Sequence, residues 1–137
     1  MAELFVAIYQ PVNQTLGTYH WALYLKKTVP TKEHYIFQII GEPCKFQYDE
    51  RAADPESSAH HIENIPIAEI DHIDHFREIV RGQKIENEMY NWGCQLWVYD
   101  VLESLVDDGL LIDYDHAEAK LKLDTLYGNQ VEDNYDF

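Results

Sequence analysis

The chain has 137 residues, of which 46% are hydrophobic and 13% aromatic, so it is long and apolar enough to fold and is unlike an intrinsically disordered protein. Its 25 acidic residues against 10 basic ones give a formal net charge of -15, which repels phosphate backbones and anionic lipids and therefore argues against nucleic acid and membranes as partners. No apolar run approaches the ~20 residues of a transmembrane helix, and the N-terminal residues lack the pattern of a secretory signal.

The first half of the chain predicts a meander of antiparallel strands. Apolar runs at residues 3–10, 18–25 and 34–40 have the composition of strands and are separated by loop-forming residues. A short fourth strand is predicted at 44–48, after the turn around Pro43. Residues 49–58 are polar and are predicted to form a loop.

The hydrophobic period changes after this loop. Residues 61–67 alternate like a strand, and Pro66 indicates that this strand lies at an edge of the sheet. A helix of about a dozen residues is predicted next, because apolar side chains recur at helical spacing until Gly82. These side chains are Ile70, Ile73, Phe76, Ile79 and Val80.

The strongest helical pattern starts at Cys94 and ends at Gly109. One apolar stripe runs along it, made of Cys94, Trp97, Val98, Val101, Leu102, Leu105 and Val106. A last amphipathic helix is predicted at about 115–126. We therefore expect a single domain over residues 1–127 and an acidic, mobile tail over 128–137.

Cys94 lies in the first turn of its helix, where unpaired N–H groups and the helix dipole stabilise a thiolate and lower the thiol pKa. Position alone does not separate a nucleophile from a cysteine that merely begins the buried stripe. A catalytic base would favour the nucleophile.

His20 is the best candidate for that base, since it interrupts an apolar strand and must either line a cleft or be buried with a partner. Gln38 interrupts the third strand in the same way, and its amide could hold the His20 imidazole in one tautomer. A buried histidine–glutamine pair that only ties two strands together is the alternative.

A strand with His20-Trp21, a second strand with a polar residue, and a helix that opens with Trp92-Gly93-Cys94-Gln95-Leu96-Trp97 together resemble the circularly permuted papain-like thiol hydrolases. That group includes NlpC-type proteins, relatives of lecithin retinol acyltransferase and the PPPDE isopeptidases. The likeness is greatest to small fungal proteins with a Trp-Asn-Cys-Gln-x-Trp-like motif. In this chain Gly93 stands where that motif has Asn, and Gln38 where the acyltransferase relatives have a second His.

The resemblance implies that Cys94 is the nucleophile, His20 the general base and Gln38 the residue that orients it. Trp92 beside the cysteine is a candidate for the wall of a substrate cleft, and we assign Trp21 and Gln95 to substrate binding as well. Trp97 is assigned to the core.

Two other features carry weaker interpretations. His72 and His75 have a spacing that can bind a metal, but the apolar stripe of their helix places them on the solvent side, so no metal site is expected. Cys44 follows a turn and is interpreted as a packing residue or an unreactive thiol.

These observations predict an α+β, permuted papain-like fold in which an antiparallel sheet packs against the Cys94 helix and further helices. The expected function is that of a cytoplasmic, cofactor-free thiol hydrolase or acyl transferase acting on an amide, ester or thioester of a small molecule or peptide. A catalytically silent binding or accessory module on the same fold is the alternative. The substrate and the oligomeric state are not encoded in any motif of the sequence.

Overall fold

A computed structural model describes residues 1–11 and 17–130. Within them the chain forms five strands and three α-helices, an α+β architecture as predicted. The strands are β1 (Ala2–Tyr9), β2 (His20–Lys27), β3 (Glu33–Ile40), β4 (Gln47–Arg51) and β5 (His61–Ile70). The helices are α1 (Ile73–Gly82), α2 (Cys94–Asp107) and α3 (Asp113–Asp124).

The strands form one antiparallel sheet in the order β4-β3-β2-β1-β5. The predicted meander is confirmed, because the first four strands pair in sequence order. The predicted edge strand is confirmed too: β5 pairs only with β1 in this order, and Pro66 lies opposite Phe5 beside a shift in register. An edge position and a register shift both tolerate a residue that has no N–H to donate.

The fourth strand lies later in the sequence than predicted. Residues 44–48 were expected to form it and 49–58 to form a loop, whereas β4 is Gln47–Arg51. Gly41 has φ +121°, a conformation that favours glycine, and Lys45 donates its N–H to the carbonyl of Glu42, so the turn extends to Lys45 before the strand can begin. Asp49 and Arg51 belong to a strand although they are charged, because the carboxylate of Asp49 accepts hydrogen bonds from both Gln38 and Arg51.

The first helix begins three residues later than predicted. Ile70 shares the helical spacing of the stripe, but it is the last residue of β5 and pairs with Ala2 of β1. The helix then buries Phe76 and Val80 and ends at Gly82. His72 and His75 are exposed, as expected from the stripe, and His75 hydrogen-bonds Asp108 at 3.2 Å.

The α2 helix agrees with the predicted stripe and begins at Cys94. Its buried residues include Trp97, which is fully inaccessible and confirms the assignment of this residue to the core. After Asp107 the chain turns through Gly109, whose φ of +78° favours glycine, and the N–H of Leu110 donates to the carbonyl of Leu105. The main core lies between this helix, its two neighbours and the facing side of the sheet.

The other side of the sheet carries a smaller apolar cluster. Its buried members are Ala7, Tyr9, Ala22, Tyr24 and Ile36, and Ala53 from the β4–β5 connection packs against them. The connection therefore closes the face that the helices leave open.

The last described residues are attached to the domain. After α3, the N–H of Gly128 donates to the side chain of Gln95, and Gln130 forms an antiparallel bridge with Thr18. The rest of the predicted mobile tail, residues 131–137, lies outside the described residues. No helix in the described part of the chain is long and apolar enough to cross a membrane.

Candidate active site

Cys94 is the first residue of α2 and lies at the end of the sheet where β2 begins. The preceding Gly93 is extended, and no side chain caps the helix there. The first intrahelical bond runs from the N–H of Trp97 to the carbonyl of Gly93, so the three N–H groups of residues 94–96 precede the hydrogen-bonded ladder. This arrangement concentrates positive potential at a partly exposed thiol.

His20 is the first residue of β2 and is 8% exposed. Its side chain points away from the helical side of the sheet, because side chains alternate along a strand and Trp21 faces the main core. Its position at the end of the strand nevertheless lets the imidazole reach the α2 terminus, where His20 and Cys94 line the same cleft and each shifts the pKa of the other. The ring of Tyr9, the partner of His20 on β1, packs at 5.7 Å from it.

Gln38 holds the imidazole from the neighbouring strand. Its Oε1 lies 2.8 Å from Nε2 of His20, and its Nε2 donates to Oδ2 of Asp49 on β4 at 2.8 Å. Since Nε2 of His20 is engaged by Gln38, Nδ1 is the ring nitrogen left for Cys94. The structure thus brings together all three residues that the sequence singled out for chemistry.

The pKa values of the cysteine and the histidine are displaced in the directions that favour an ion pair. Burial alone would raise the pKa of Cys94, but the hydrogen bond and charge of His20 and the backbone N–H groups of Trp21 and Gln95 lower it. Burial would lower the pKa of His20, but the hydrogen bond and charge of Cys94, together with Gln38, raise it. Both shifts favour transfer of the thiol proton to the imidazole.

Cys94 and His20 open into a cleft of about 630 Å³. Most of its lining is apolar or aromatic, and Glu42 is the one lining residue with a formal charge among those the structure describes. Its larger apolar side chains are Ile39, Ile40, Phe46, Tyr90, Trp92, Leu96 and Tyr127. Such a lining suits an acyl chain or an apolar peptide side chain.

Trp92 lines this cleft, as predicted for a wall residue. Its indole is largely buried, packs edge-on against Phe46, and donates from Nε1 to Oδ2 of Asp100 at 3.1 Å. This hydrogen bond fixes the ring relative to α2. Trp92 therefore contributes a rigid wall beside the thiol.

The interpretation of Trp21 as a substrate-binding side chain is wrong. The side chain is fully buried and packs against Tyr99 and Tyr127, on the side of the sheet opposite His20. Trp21 is not among the residues that line the cleft, because the side chains of adjacent strand residues face opposite ways and that of Trp21 enters the main core. What Trp21 gives to the site is its backbone N–H, which lowers the pKa of Cys94.

Gln95 lines the cleft, but both ends of its side-chain amide are engaged by the protein. Nε2 donates to the carbonyl of Tyr19, and Oε1 accepts from the N–H of Gly128, each at 2.9 Å. Gln95 thus fastens the Cys94 helix to the residue before His20.

The remaining candidates lie away from this cluster. Cys44 is a free, exposed thiol in the turn after β3 with φ +69°, so it is not a packing residue of a strand. Among residues 1–11 and 17–130, no group of three or more His, Cys, Asp or Glu side chains could hold a metal ion.

The sequence pattern missed Asp49 and Arg51, which extend the chain of hydrogen bonds beyond Gln38. It predicts a loop for their segment.

Comparison with known proteins gives a family but no activity. No curated protein and no solved structure matches the chain significantly. One family, described as a family of unknown function (DUF6540), matches residues 6–112, which include His20, Gln38 and Cys94. Because this match covers most of the chain, the protein belongs to the DUF6540 family.

Proposed function

We propose that the protein is a cysteine-dependent hydrolase or acyl transferase with Cys94 as nucleophile, His20 as general base and acid, and Gln38 as the residue that orients His20. The observation that carries this proposal is that one imidazole, hydrogen-bonded to the amide of Gln38, lines the same cleft as a thiol at a helix N-terminus and lowers the pKa of that thiol. A nucleophile, a base and a group that orients the base form the arrangement that thiol acyl transfer requires.

In the proposed reaction the Cys94 proton moves to Nδ1 of His20, and the thiolate attacks the carbonyl carbon of an amide, ester or thioester. When the tetrahedral intermediate collapses, the bond to the leaving group breaks and the imidazolium returns the proton to the departing nitrogen, oxygen or sulfur. Water or an amine, deprotonated by His20, then attacks the thioester and releases the acyl group and the Cys94 thiol. No cofactor takes part in this sequence.

The helix N-terminus supports stabilisation of the developing oxyanion. The N–H of Cys94 precedes the hydrogen-bonded ladder of α2 and adjoins the attacking sulfur, which suits a backbone oxyanion donor. The side chain of Gln95 is held by Tyr19 and Gly128, so its amide serves as a fastener in this proposal.

The order of the elements supports a permuted papain-like fold as part of the same proposal. The strand that carries His20 and the strand that carries Gln38 both precede the Cys94 helix in the chain, as in the group that the sequence motif resembles. The free thiols of Cys44 and Cys94 suit a reducing compartment such as the cytoplasm. The apolar cleft supports a small-molecule or peptide acyl substrate.

The test is to trap the acyl-enzyme. The protein is mixed with a p-nitrophenyl ester of a short acyl chain, quenched in acid and measured by intact mass and peptide mapping, alongside Cys94→Ala, Cys44→Ala and His20→Ala. An acyl adduct on Cys94 that persists in Cys44→Ala and is lost or strongly slowed in the other two is expected. An adduct-free Cys94, or equal labelling of both cysteines, would overturn the proposal and favour the silent binding module.

A further inference from the structure

A row of polar side chains crosses three strands and ends at the candidate nucleophile. Gln38 on β3 is the direct cross-strand partner of Asp49 on β4, so their side chains leave the same face of the sheet. Arg51 lies two residues further along β4 on that face, and its Nε donates to the same Oδ2 of Asp49 at 2.8 Å. Asp49 therefore connects Gln38 to a cation.

The chemistry of Asp49 fixes the orientation of the Gln38 amide. An ionised carboxylate only accepts hydrogen bonds, so the group of Gln38 that faces it must be the NH₂. The hydrogen bond from Arg51 holds the pKa of Asp49 below its ordinary value, which keeps the carboxylate ionised at neutral pH. The carbonyl Oε1 of Gln38 is consequently turned towards His20.

The orientation of the amide in turn fixes the proton on His20. Oε1 carries no hydrogen, so Nε2 of His20 must be the protonated nitrogen that donates to it, and Nδ1 is left to accept the proton of Cys94. A flipped amide would direct its NH₂ at His20. The neutral ring would then carry its proton on Nδ1, where it could not accept one from the thiol, and the imidazolium would face a donor.

We propose that Asp49, held by Arg51, is a positioning residue that sets the amide of Gln38 and, through it, the tautomer and basicity of His20. This inference rests on the proposed function, because the basicity of His20 matters there through Cys94. Asp49 acts on the thiol only through Gln38 and His20. It is not expected to touch substrate, since it does not line the cleft.

The other groups around His20 do not set its tautomer, so this role falls to Gln38 and Asp49. On β1, Tyr9 packs against the imidazole, and burial raises the pKa of its phenol to about 12, so it is neutral at the pH values of interest. On β5, His61 packs against Tyr9 and hydrogen-bonds Asn64 through Nε2. The thiol of Cys94 faces the ring from α2.

Glu50 is a matched control for Asp49. It is the next residue of β4, its side chain is 21% exposed against 22% for Asp49, and it also pairs with an arginine, accepting two hydrogen bonds from Arg81 at 2.8 Å. Its side chain leaves the opposite face of the sheet. A loss of stability at β4 would therefore affect both positions, whereas an effect on His20 should come from Asp49 alone.

The experiment measures the ¹⁵N shifts of the His20 ring in two-dimensional NMR spectra that detect imidazole nitrogens, and the pH dependence of Cys94 alkylation by iodoacetamide. It compares the full chain with Asp49→Ala, Asp49→Asn and Glu50→Gln. In the parent and in Glu50→Gln, the neutral ring should carry its proton on Nε2. In Asp49→Ala the Nδ1-protonated form should appear, and alkylation at pH 6 should slow by about tenfold or more, by analogy with residues that orient metal-ligating histidines.

The His20 tautomer and the alkylation rate of Asp49→Asn should lie between those of the parent and Asp49→Ala, because the asparagine amide can accept from Gln38 or donate to it. If Asp49→Ala does not fold, Asp49→Asn decides the outcome. The proposal is overturned if the Asp49 variants keep the parent tautomer and pH profile, or if Glu50→Gln changes both equally. If the parent Cys94 does not react at all, the proposed function fails, while the NMR spectra still test the role of Asp49 separately.

Discussion

Oε1 of Gln95 accepts a hydrogen bond from the backbone N–H of Gly128, 33 residues further along the chain and 2.9 Å away. The other end of the same amide donates to the carbonyl of Tyr19, immediately before His20. One buried side chain thus ties the helix that carries the thiol to the strand that carries the imidazole and to the segment after α3. The spacing between Cys94 and His20 depends on such fasteners, because the two residues belong to different elements.

Replacement of Gln95 by alanine should loosen this joint. The variant leaves the carbonyl of Tyr19 and the N–H of Gly128 without their partner, so the free energy of unfolding should fall by about 1–3 kcal/mol. Amide hydrogen exchange measured by NMR should be faster at Gly128 than in the parent. Unchanged exchange at Gly128 together with weaker substrate binding would instead indicate that Gln95 contacts substrate directly.

Gly93 stands where the similar motif has asparagine, and the structure has room for a Cβ atom at this position. A Cβ at this position would lie 3.6 Å from Cζ of Phe46, an ordinary contact, and the extended backbone suits any residue. Because asparagine is a good N-cap, Gly93→Asn should raise the free energy of unfolding by a few tenths of a kcal/mol in urea denaturation. A loss of more than about 1 kcal/mol would show that the backbone at Gly93 requires glycine.

Gly41 provides the contrasting case. Its φ is +121°, and a Cβ added to it would lie 2.8 Å from the carbonyl oxygen of Lys45, which leaves no room for a side chain. Gly41→Ala should therefore destabilise the protein by at least about 1–2 kcal/mol in the same denaturation experiment. If the two glycine variants had equal stability, the turn between β3 and β4 would differ from the one described.

Sequence periodicity predicted the elements whose side chains alternate or repeat cleanly, such as the strand of His20 and the helix of Cys94. It failed at β4, because Asp49 and Arg51 are charged and Gln38, which hydrogen-bonds Asp49, lies on a neighbouring strand. The pairing of Gln38 with Asp49 depends on register, which no local pattern contains. The burial of Trp21, in contrast, could have been predicted from the sequence. Side chains alternate along a strand, so Trp21 must lie on the face opposite His20.

Gln38 is expected to matter more for reactivity than for stability. Gln38→Ala removes the hydrogen bonds to His20 and Asp49, so the pKa of His20 should fall and alkylation of Cys94 near neutral pH should slow. The free energy of unfolding should decrease by about 1–3 kcal/mol. A loss above ~3 kcal/mol with an unchanged rate of alkylation, judged against His20→Ala, would assign Gln38 a structural role.

Glu50 should make its full contribution to stability only above the ordinary carboxyl pKa. The hydrogen bonds from Arg81 lower the pKa of Glu50 in the folded state, so its stabilising effect is complete above ~4.3 and is lost as the pH falls through the lowered value. Thermal melts should show Glu50→Gln less stable than the parent at pH 7 and equal to it near pH 2. A difference that persists unchanged in acid would exclude the carboxylate as its source.

The thiolate–imidazolium pair itself is tested most directly by the pH dependence of Cys94 alkylation, followed by peptide mass spectrometry with limiting iodoacetamide. The exposed Cys44 in the same chain serves as the internal reference, and His20→Ala as the variant. The rate of alkylation at Cys94 should rise with pH and reach its plateau below pH ~8.5, the pKa of an ordinary thiol. In His20→Ala this rise should move to higher pH. A Cys94 that titrates at or above ~8.5, and does so equally without His20, would contradict the account.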